Sequence, residues 1–210
     1  MKSTLSRGLY AITDGPRADL ERVVAQALSG GARLLQYRDP THDSSRRRNE
    51  ALALRKLCAL HGVPLIIEHD VALALAVAAD GVHLGQDDGD VAAARAVLGA
   101  QAIIGVSCCD CLARARAAVA AGASYVSFGA FFASPTKPHA PRAPVDLLRQ
   151  SAALGVPRVA IGGITPDNGA SLVDAGADYL AAISALFGTA DTRAVAQRFA
   201  NLYSPDRDRP

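Results

Sequence analysis

The sequence predicts an α/β fold, a single (β/α)8 TIM barrel, on three observations. Short apolar runs of strand length recur along the chain, stretches of helical period separate them, and several runs stop at groups able to hold phosphate or metal. In a closed parallel barrel every strand C-terminus lies on one face, so those groups would meet at one pocket. An open doubly wound sheet uses the same alternation and is the main rival.

Taken in order, the run from Leu9 to Thr13 stops at Asp14 and supplies the first strand. Leu20, Val23, Val24, Ala27 and Leu28 then follow an i, i+3, i+4, i+7, i+8 pattern, which places them on one helix face. Leu34 and Leu35 lead into Gln36 and Arg38 as the second strand, and Leu52, Leu57, Cys58 and Leu60 mark the next helical stripe. The third strand is followed by Glu68 and His69, and a helix is expected near Val71 to Ala79. Val82 to Leu84 runs toward Asp87 and Asp88 before a helix over Val91 to Leu98. Ile103 to Val106 runs into Ser107, with a helix over Cys111 to Ala121 behind it. Val126 to Phe132 leads to Ser134, Thr136 and Lys137, and Val145 to Leu154 is the helix that follows. Val159 to Ile161 ends at Gly162 and Gly163 ahead of a helix over Asp167 to Ala175. Tyr179 to Ile183 ends at Ser184, and Thr192 to Leu202 is the last helix. The turn Ala121-Gly122-Ala123 returns as Ala175-Gly176-Ala177, with glycine stopping the helix each time. Residues 1–203 are therefore expected to form one barrel domain, and residues 204–210, polar and proline-ended, a frayed tail.

Composition narrows the function. A length of 210 residues suits one well-buried domain, and half the residues are hydrophobic, which argues against disorder. A net charge of +2 is too small for a nucleic-acid partner, which needs many clustered cations. The triplet Arg46, Arg47 and Arg48 is expected on the wet face of a helix. Ala117 to Thr136 carries no charge, yet Gly122, Ser124, Ser127, Gly129 and Pro135 break it into helix, turn, strand and loop, so no membrane span is expected. The segment from Gly8 to Thr13 is too short for the apolar part of a secretory signal, so the expected location is the cytoplasm. Cys58, Cys108, Cys109 and Cys111 form neither a disulfide framework nor a zinc spacing, and read as reduced thiols near a pocket rim.

What remains is small-molecule chemistry at the strand ends. Gln36 and Arg38 are two apart on a strand and so point the same way. Arg38 either clamps an oxyanion bidentately or sits in an ion pair with Asp39 or another carboxylate. Asp87 and Asp88 either hold magnesium, with water and phosphate oxygens completing its shell, or complement a helix N-terminus. Lys137 is a compact cation beside the hydroxyls of Ser134 and Thr136, suited to a charged substrate unless it is simply solvated. Gly162 and Gly163 would let a ligand approach backbone amides, and Thr165-Pro166 reads as an N-cap with proline at the first helical position. Ile183 and Ser184 offer amides and a hydroxyl to an anion, where barrels of this kind bind phosphate.

Read together, these segments resemble the thiamine phosphate synthase family over nearly the whole chain. The likeness rests on Leu9 to Asp14, Gln36-Tyr37-Arg38, Asp80 to Asp88, Gly105-Val106-Ser107, Gly129 to Lys137, Ile161 to Ile164 and Ile183-Ser184-Ala185. It implies a TIM barrel that joins an aminopyrimidine methyl diphosphate to a carboxylated thiazole phosphate, releasing diphosphate and carbon dioxide. By the same resemblance Gln36, Arg38, Ser107 and Lys137 hold the pyrimidine diphosphate and Asp88 helps hold Mg2+. Ser134, Thr136, Gly163, Ile183 and Ser184 hold the thiazole phosphate. Arg38, Ser107 and Lys137 are nominated as the catalytic groups, because stabilising charge on the departing diphosphate is the main task.

Three positions depart from the family pattern. Pro40 stands where the family has lysine, and Glu68 and His69 stand where it has an Asn-Asp pair, so an imidazole replaces one expected magnesium ligand. Glu68 and Asp70 are adjacent candidates to restore a carboxylate. Two other readings fit a barrel of this type. A thiazole phosphate isomerase would need the thiazole site but neither the diphosphate nor the metal, and a non-catalytic barrel would only bind a phosphorylated ligand.

Overall fold

A computed structural model describes residues 5–85, 88–133 and 141–204. Eight parallel strands close into a barrel in chain order. They are β1 (Gly8–Ile12), β2 (Ala32–Tyr37), β3 (Leu65–Glu68), β4 (Gly81–Leu84), β5 (Ile103–Cys109), β6 (Tyr125–Phe128), β7 (Arg158–Ile161) and β8 (Tyr179–Ala182). The helices are α1 (Leu20–Ser29), α2 (Ser44–His61), α3 (Val71–Ala76), α4 (Val91–Leu98), α5 (Leu112–Ala120), α6 (Asp146–Gln150), α7 (Ala170–Asp174), α8 (Ser184–Phe187) and α9 (Thr192–Asn201). The expected barrel is thus the observed one, and the open sheet is excluded by the pairing of β1 with β8.

Two separate apolar clusters divide the labour. The larger lies between sheet and helices, where Leu9, Ala11, Leu35, Tyr37, Ile67, Val82 and Leu180 meet the apolar faces of the helices. The smaller fills the barrel, where Tyr10, Ile12, Leu34, Ile66, Ile103, Tyr125, Val159 and Tyr179 point inward. Alternation along each strand carries this division upward. Two residues beyond Leu34 comes Gln36, two beyond Ile66 comes Glu68, and two beyond Gly105 comes Ser107. The inward register therefore ends in polar groups at the C-terminal rim.

Several boundaries differ from expectation. The sixth strand ends at Phe128, because the chain beyond Gly129 leaves the β5 side and leans on the end of β7, with Phe131 N donating to Ile161 O (3.1 Å) and Phe132 N to Gly162 O (2.9 Å). The short helix α8 begins at Ser184 itself, before the expected last helix. The arginine triplet does not lie wholly in water. Arg46 bonds Asp39 and Glu50 and Arg47 pairs with Asp70 (3.1 Å), which leaves Arg48 as the exposed member. Among the described residues no helix is long and apolar enough to cross a membrane. Of the expected tail, only Ser204 falls among the described residues.

Candidate functional site

The end of β2 is fixed from two sides. Buried Thr13, just past β1, accepts a hydrogen bond from Arg38 N (2.7 Å) and donates one to Arg38 O (2.8 Å), which pins the arginine's backbone. Behind it, Asp39 accepts from Thr41 N (2.9 Å) and pairs with Arg46 (2.7 Å), while Arg46 also reaches Glu50 (3.1 Å). Burial works against the charge of Asp39, but the Thr41 bonds and the Arg46 guanidinium outweigh it and hold the carboxyl below its usual range. Asp39 is therefore Arg46's partner, not Arg38's.

Arg38 meets Glu68 at the end of β3 through Nε (3.5 Å). A guanidinium carries five N–H donors, so this contact orients Arg38 without exhausting it. Glu68 also faces His69 Nε2 (3.5 Å), and His69 Nδ1 contacts the Asp88 carboxylate. Asp88 in turn accepts from Gly85 N (2.5 Å). Arg38, Glu68, His69 and Asp88 thus form a continuous line of polar contacts across the ends of β2, β3 and β4. Asp70 is not part of it, because its carboxylate caps α3 at Leu73 N (2.8 Å) and pairs with Arg47.

The donor set near Asp88 can be tested against magnesium. Among the described residues no group of three or more His, Cys, Asp and Glu side chains is arranged to hold a metal. Asp88 does supply one carboxylate, which suffices for magnesium when substrate phosphates and water complete the octahedron. The imidazole of His69 adds a nitrogen donor, which suits transition metals better.

Inside the barrel, polar side chains from five strands make one hydrogen-bonded chain. Gln36 Oε1 accepts from Tyr10 OH (2.9 Å), and the Tyr10 and Tyr125 hydroxyls share a bond (2.7 Å). Tyr125 OH meets His83 Nδ1 (2.9 Å), and His83 Nε2 meets Ser107 Oγ (3.0 Å). Gly105 makes the arrangement possible. A Cβ there would lie 2.0 Å from the Tyr125 ring, so only glycine leaves room for the phenol to cross β5.

Burial pushes the His83 imidazole down from 6.5 to about 4, the Glu68 carboxylate offsetting only part of the loss of water. Between those values the unfolded chain takes up a proton that the folded one refuses, so stability falls as pH drops through this window. Urea unfolding of wild type at pH 7 and 4.5 is expected to show a loss of about 2 to 3 kcal/mol from this group. The His83→Gln variant should show a shallower slope; an identical slope would contradict the buried neutral imidazole.

The opposite side of the rim is built from β7 and β8. Gly163 has φ of +62°, and a Cβ on it would lie 2.1 Å from Ala133 O. The missing side chains of the glycine pair are thus used first by the chain itself, which passes Ala130 to Ala133 over them. Thr165 does not cap a helix. Its N–H donates to Asn168 Oδ1 (2.9 Å), Asn168 Nδ2 donates to Gly163 O (3.0 Å), and α7 starts only at Ala170. Ile183 ends the β8 side, with Ser184 exposed at the rim.

The structure therefore joins Gln36 to Ser107 through the inner chain and Arg38 to Asp88 through the outer one. Gly163, Ile183 and Ser184 lie at the ends of β7 and β8. Asp87, Ser134, Thr136 and Lys137 lie outside the described residues. Tyr10, Tyr125 and Asn168 were not singled out by the sequence; for the two tyrosines the signal was an aromatic residue at an inward strand position, and Asn168 carried none. The cysteines divide. Cys58 is buried in α2 away from the rim, and burial pushes its thiol and that of Cys108 up to about 12. Cys109 is exposed and Cys111 caps α5.

Residues 9–186 match the family model described as thiamine monophosphate synthase. The chain is 54% identical over 198 residues to a thiamine-phosphate synthase of Chromobacterium violaceum, covering 93% of this chain and 96% of the relative. It is 56% identical over 201 residues to that of Azoarcus sp., covering 94% and 98%. Among solved structures, a thiamine phosphate pyrophosphorylase from Pyrococcus furiosus matches with a TM-score of 0.82 at 32% identity, covering 93% of this chain and 94% of that one.

Proposed function

The chain belongs to the thiamine monophosphate synthase family, and from that premise we propose that its rim joins an aminopyrimidine methyl diphosphate to a carboxylated thiazole phosphate. It is a transferase that moves the pyrimidine group with release of diphosphate. In the proposed course the C–O bond to diphosphate breaks and the electron pair leaves with the diphosphate. The electron-rich ring supports the methylene cation, the thiazole nitrogen captures it, and loss of carbon dioxide completes thiamine phosphate.

The observation that carries this reading is the separation of two rim regions on one face. Arg38, Ser107 and Asp88 occupy the β2 to β5 side, whereas Gly163, Ile183 and Ser184 occupy the β7 and β8 side. Two phosphorylated reactants need two such seats. Arg38 would meet the diphosphate, with Glu68 and Thr13 holding its guanidinium and backbone in place before the substrate arrives. Ser107 would contact the same diphosphate and Gln36 the pyrimidine ring. Lys137, Ser134 and Thr136 are assigned through the family, the first to the diphosphate and the others to the thiazole phosphate. Magnesium, held by Asp88 and diphosphate oxygens, would supply counter-charge to the leaving group. The site needs little general-base chemistry, since preorganised donors and cations do most of the work.

Purified protein mixed with both reactants, with and without magnesium, provides the test. Metal-dependent formation of thiamine phosphate and diphosphate in equal amounts is expected. Tight thiazole phosphate binding without turnover would contradict the reading.

A further inference from the structure

The chain from Gln36 to Ser107 has a property that none of its members has alone: it can run in only one direction at a time. Each phenol has one proton to donate, and a neutral imidazole has one N–H and one acceptor nitrogen. With Tyr10 donating to Gln36 Oε1, the Tyr10–Tyr125 bond needs Tyr125 as donor. His83 must then donate from Nδ1 to Tyr125, and Ser107 must donate to His83 Nε2. In this direction Ser107 has no proton left for a ligand and Gln36 turns its NH2 outward. Reversal requires all five groups to change together. A half-turn of the amide lets Gln36 Nε2 donate to Tyr10, Tyr10 to Tyr125, Tyr125 to Nδ1, and Nε2–H to Ser107. The proton count is unchanged: the imidazole gives up its Nδ1 proton to solvent, takes one at Nε2, and the three hydroxyls rotate. Ser107 then has its own proton free for an anion, and Gln36 presents its carbonyl oxygen.

We propose that Tyr125 and His83 are positioning residues that couple the two ends, so that an anion accepting the Ser107 proton turns the Gln36 amide oxygen toward the substrate ring. This rests on the assignment of Ser107 to the diphosphate and Gln36 to the ring. The coupling follows from burial. Tyr10, Gln36, His83 and Tyr125 are all nearly inaccessible to water, so a broken link would leave a buried polar group without a partner, which is costly. An amide oxygen facing the pocket accepts from an exocyclic amino group and repels a carbonyl. A diphosphate ester of an aminopyrimidine satisfies both ends of the reversed chain, whereas the free alcohol engages only one.

The test uses full-length protein labelled with 15N histidine and titrated with inorganic diphosphate and magnesium. The His83 ring proton is expected on Nδ1 in the free protein and on Nε2 at saturation. In binding of the pyrimidine diphosphate, Gln36→Ala and Ser107→Ala should be non-additive by roughly fivefold, and additive once Tyr125→Phe is introduced. Tyr10→Phe, which cuts the same chain one link away, should also restore additivity. Diphosphate that binds without moving the ring proton, or additivity already present in wild type, overturns the coupling alone. Absence of diphosphate binding overturns the Ser107 assignment and the coupling with it.

Discussion

Arg38→Ala is expected to lower kcat/KM for the pyrimidine diphosphate by roughly 10² to 10³-fold, the usual loss when one preorganised donor to a developing anion is removed. The size of the effect follows from how the residue is held. Its backbone is bonded to Thr13 on both N–H and carbonyl, and its guanidinium is already turned by Glu68, so little reorganisation is needed when charge appears on the leaving group. Arg38→Lys should recover only part of the activity, because an ammonium cannot reproduce a planar bidentate contact. Steady-state kinetics with each reactant varied in turn checks this. The KM for thiazole phosphate should stay within about threefold of wild type, the remaining loss falling on the diphosphate side. A drop of less than about tenfold in Arg38→Ala would place the diphosphate elsewhere.

Gly163→Ala is expected to raise the KM for thiazole phosphate by roughly tenfold or more and to destabilise the fold by about 1 to 3 kcal/mol. Two causes add. The residue sits at φ of +62°, and its new Cβ would press on the Ala133 carbonyl 2.1 Å away, pushing the chain that leads into Ser134 and Thr136. Gly62 separates the causes, because it has nearly the same φ, +64°, and a methyl group there would meet nothing within 4 Å. Gly62→Ala should therefore show the backbone strain alone, with unchanged kinetics. Equal KM values in the two variants would mean that the approach of Ala133 does not shape the site.

The barrel was legible because its two periods are strong. Tyr10, Ile12 and Leu34 alternate with residues that face the helices, and α1 carries its buried residues on one stripe. The rim was legible where a polar residue ends an apolar run, as at Arg38, Ser107 and Asp88. The interior chain was not, because tyrosine at an inward strand position reads as core, and nothing in one sequence says that Tyr10, Tyr125 and His83 point at one another across the barrel. Gly105 read as part of a motif, although its physical role is to leave space for a ring on the neighbouring strand. Thr165 looked like a cap because proline follows it. The helix itself starts only at Ala170, after a turn in which Asn168 holds the Thr165 N–H, and spacing alone does not place that turn. The departures at Glu68 and His69 now have a setting: Glu68 orients Arg38, and His69 touches the carboxylate that is proposed to face the metal.

The most direct measurement is a crystal structure of the protein with diphosphate, magnesium and thiamine phosphate bound together. The account predicts diphosphate oxygens within hydrogen-bond distance of the Arg38 guanidinium and the Ser107 hydroxyl, with Asp88 toward the metal and the product's phosphate at Gly163 and Ser184. Diphosphate seated out of hydrogen-bond distance of both the Arg38 guanidinium and the Ser107 hydroxyl would contradict it.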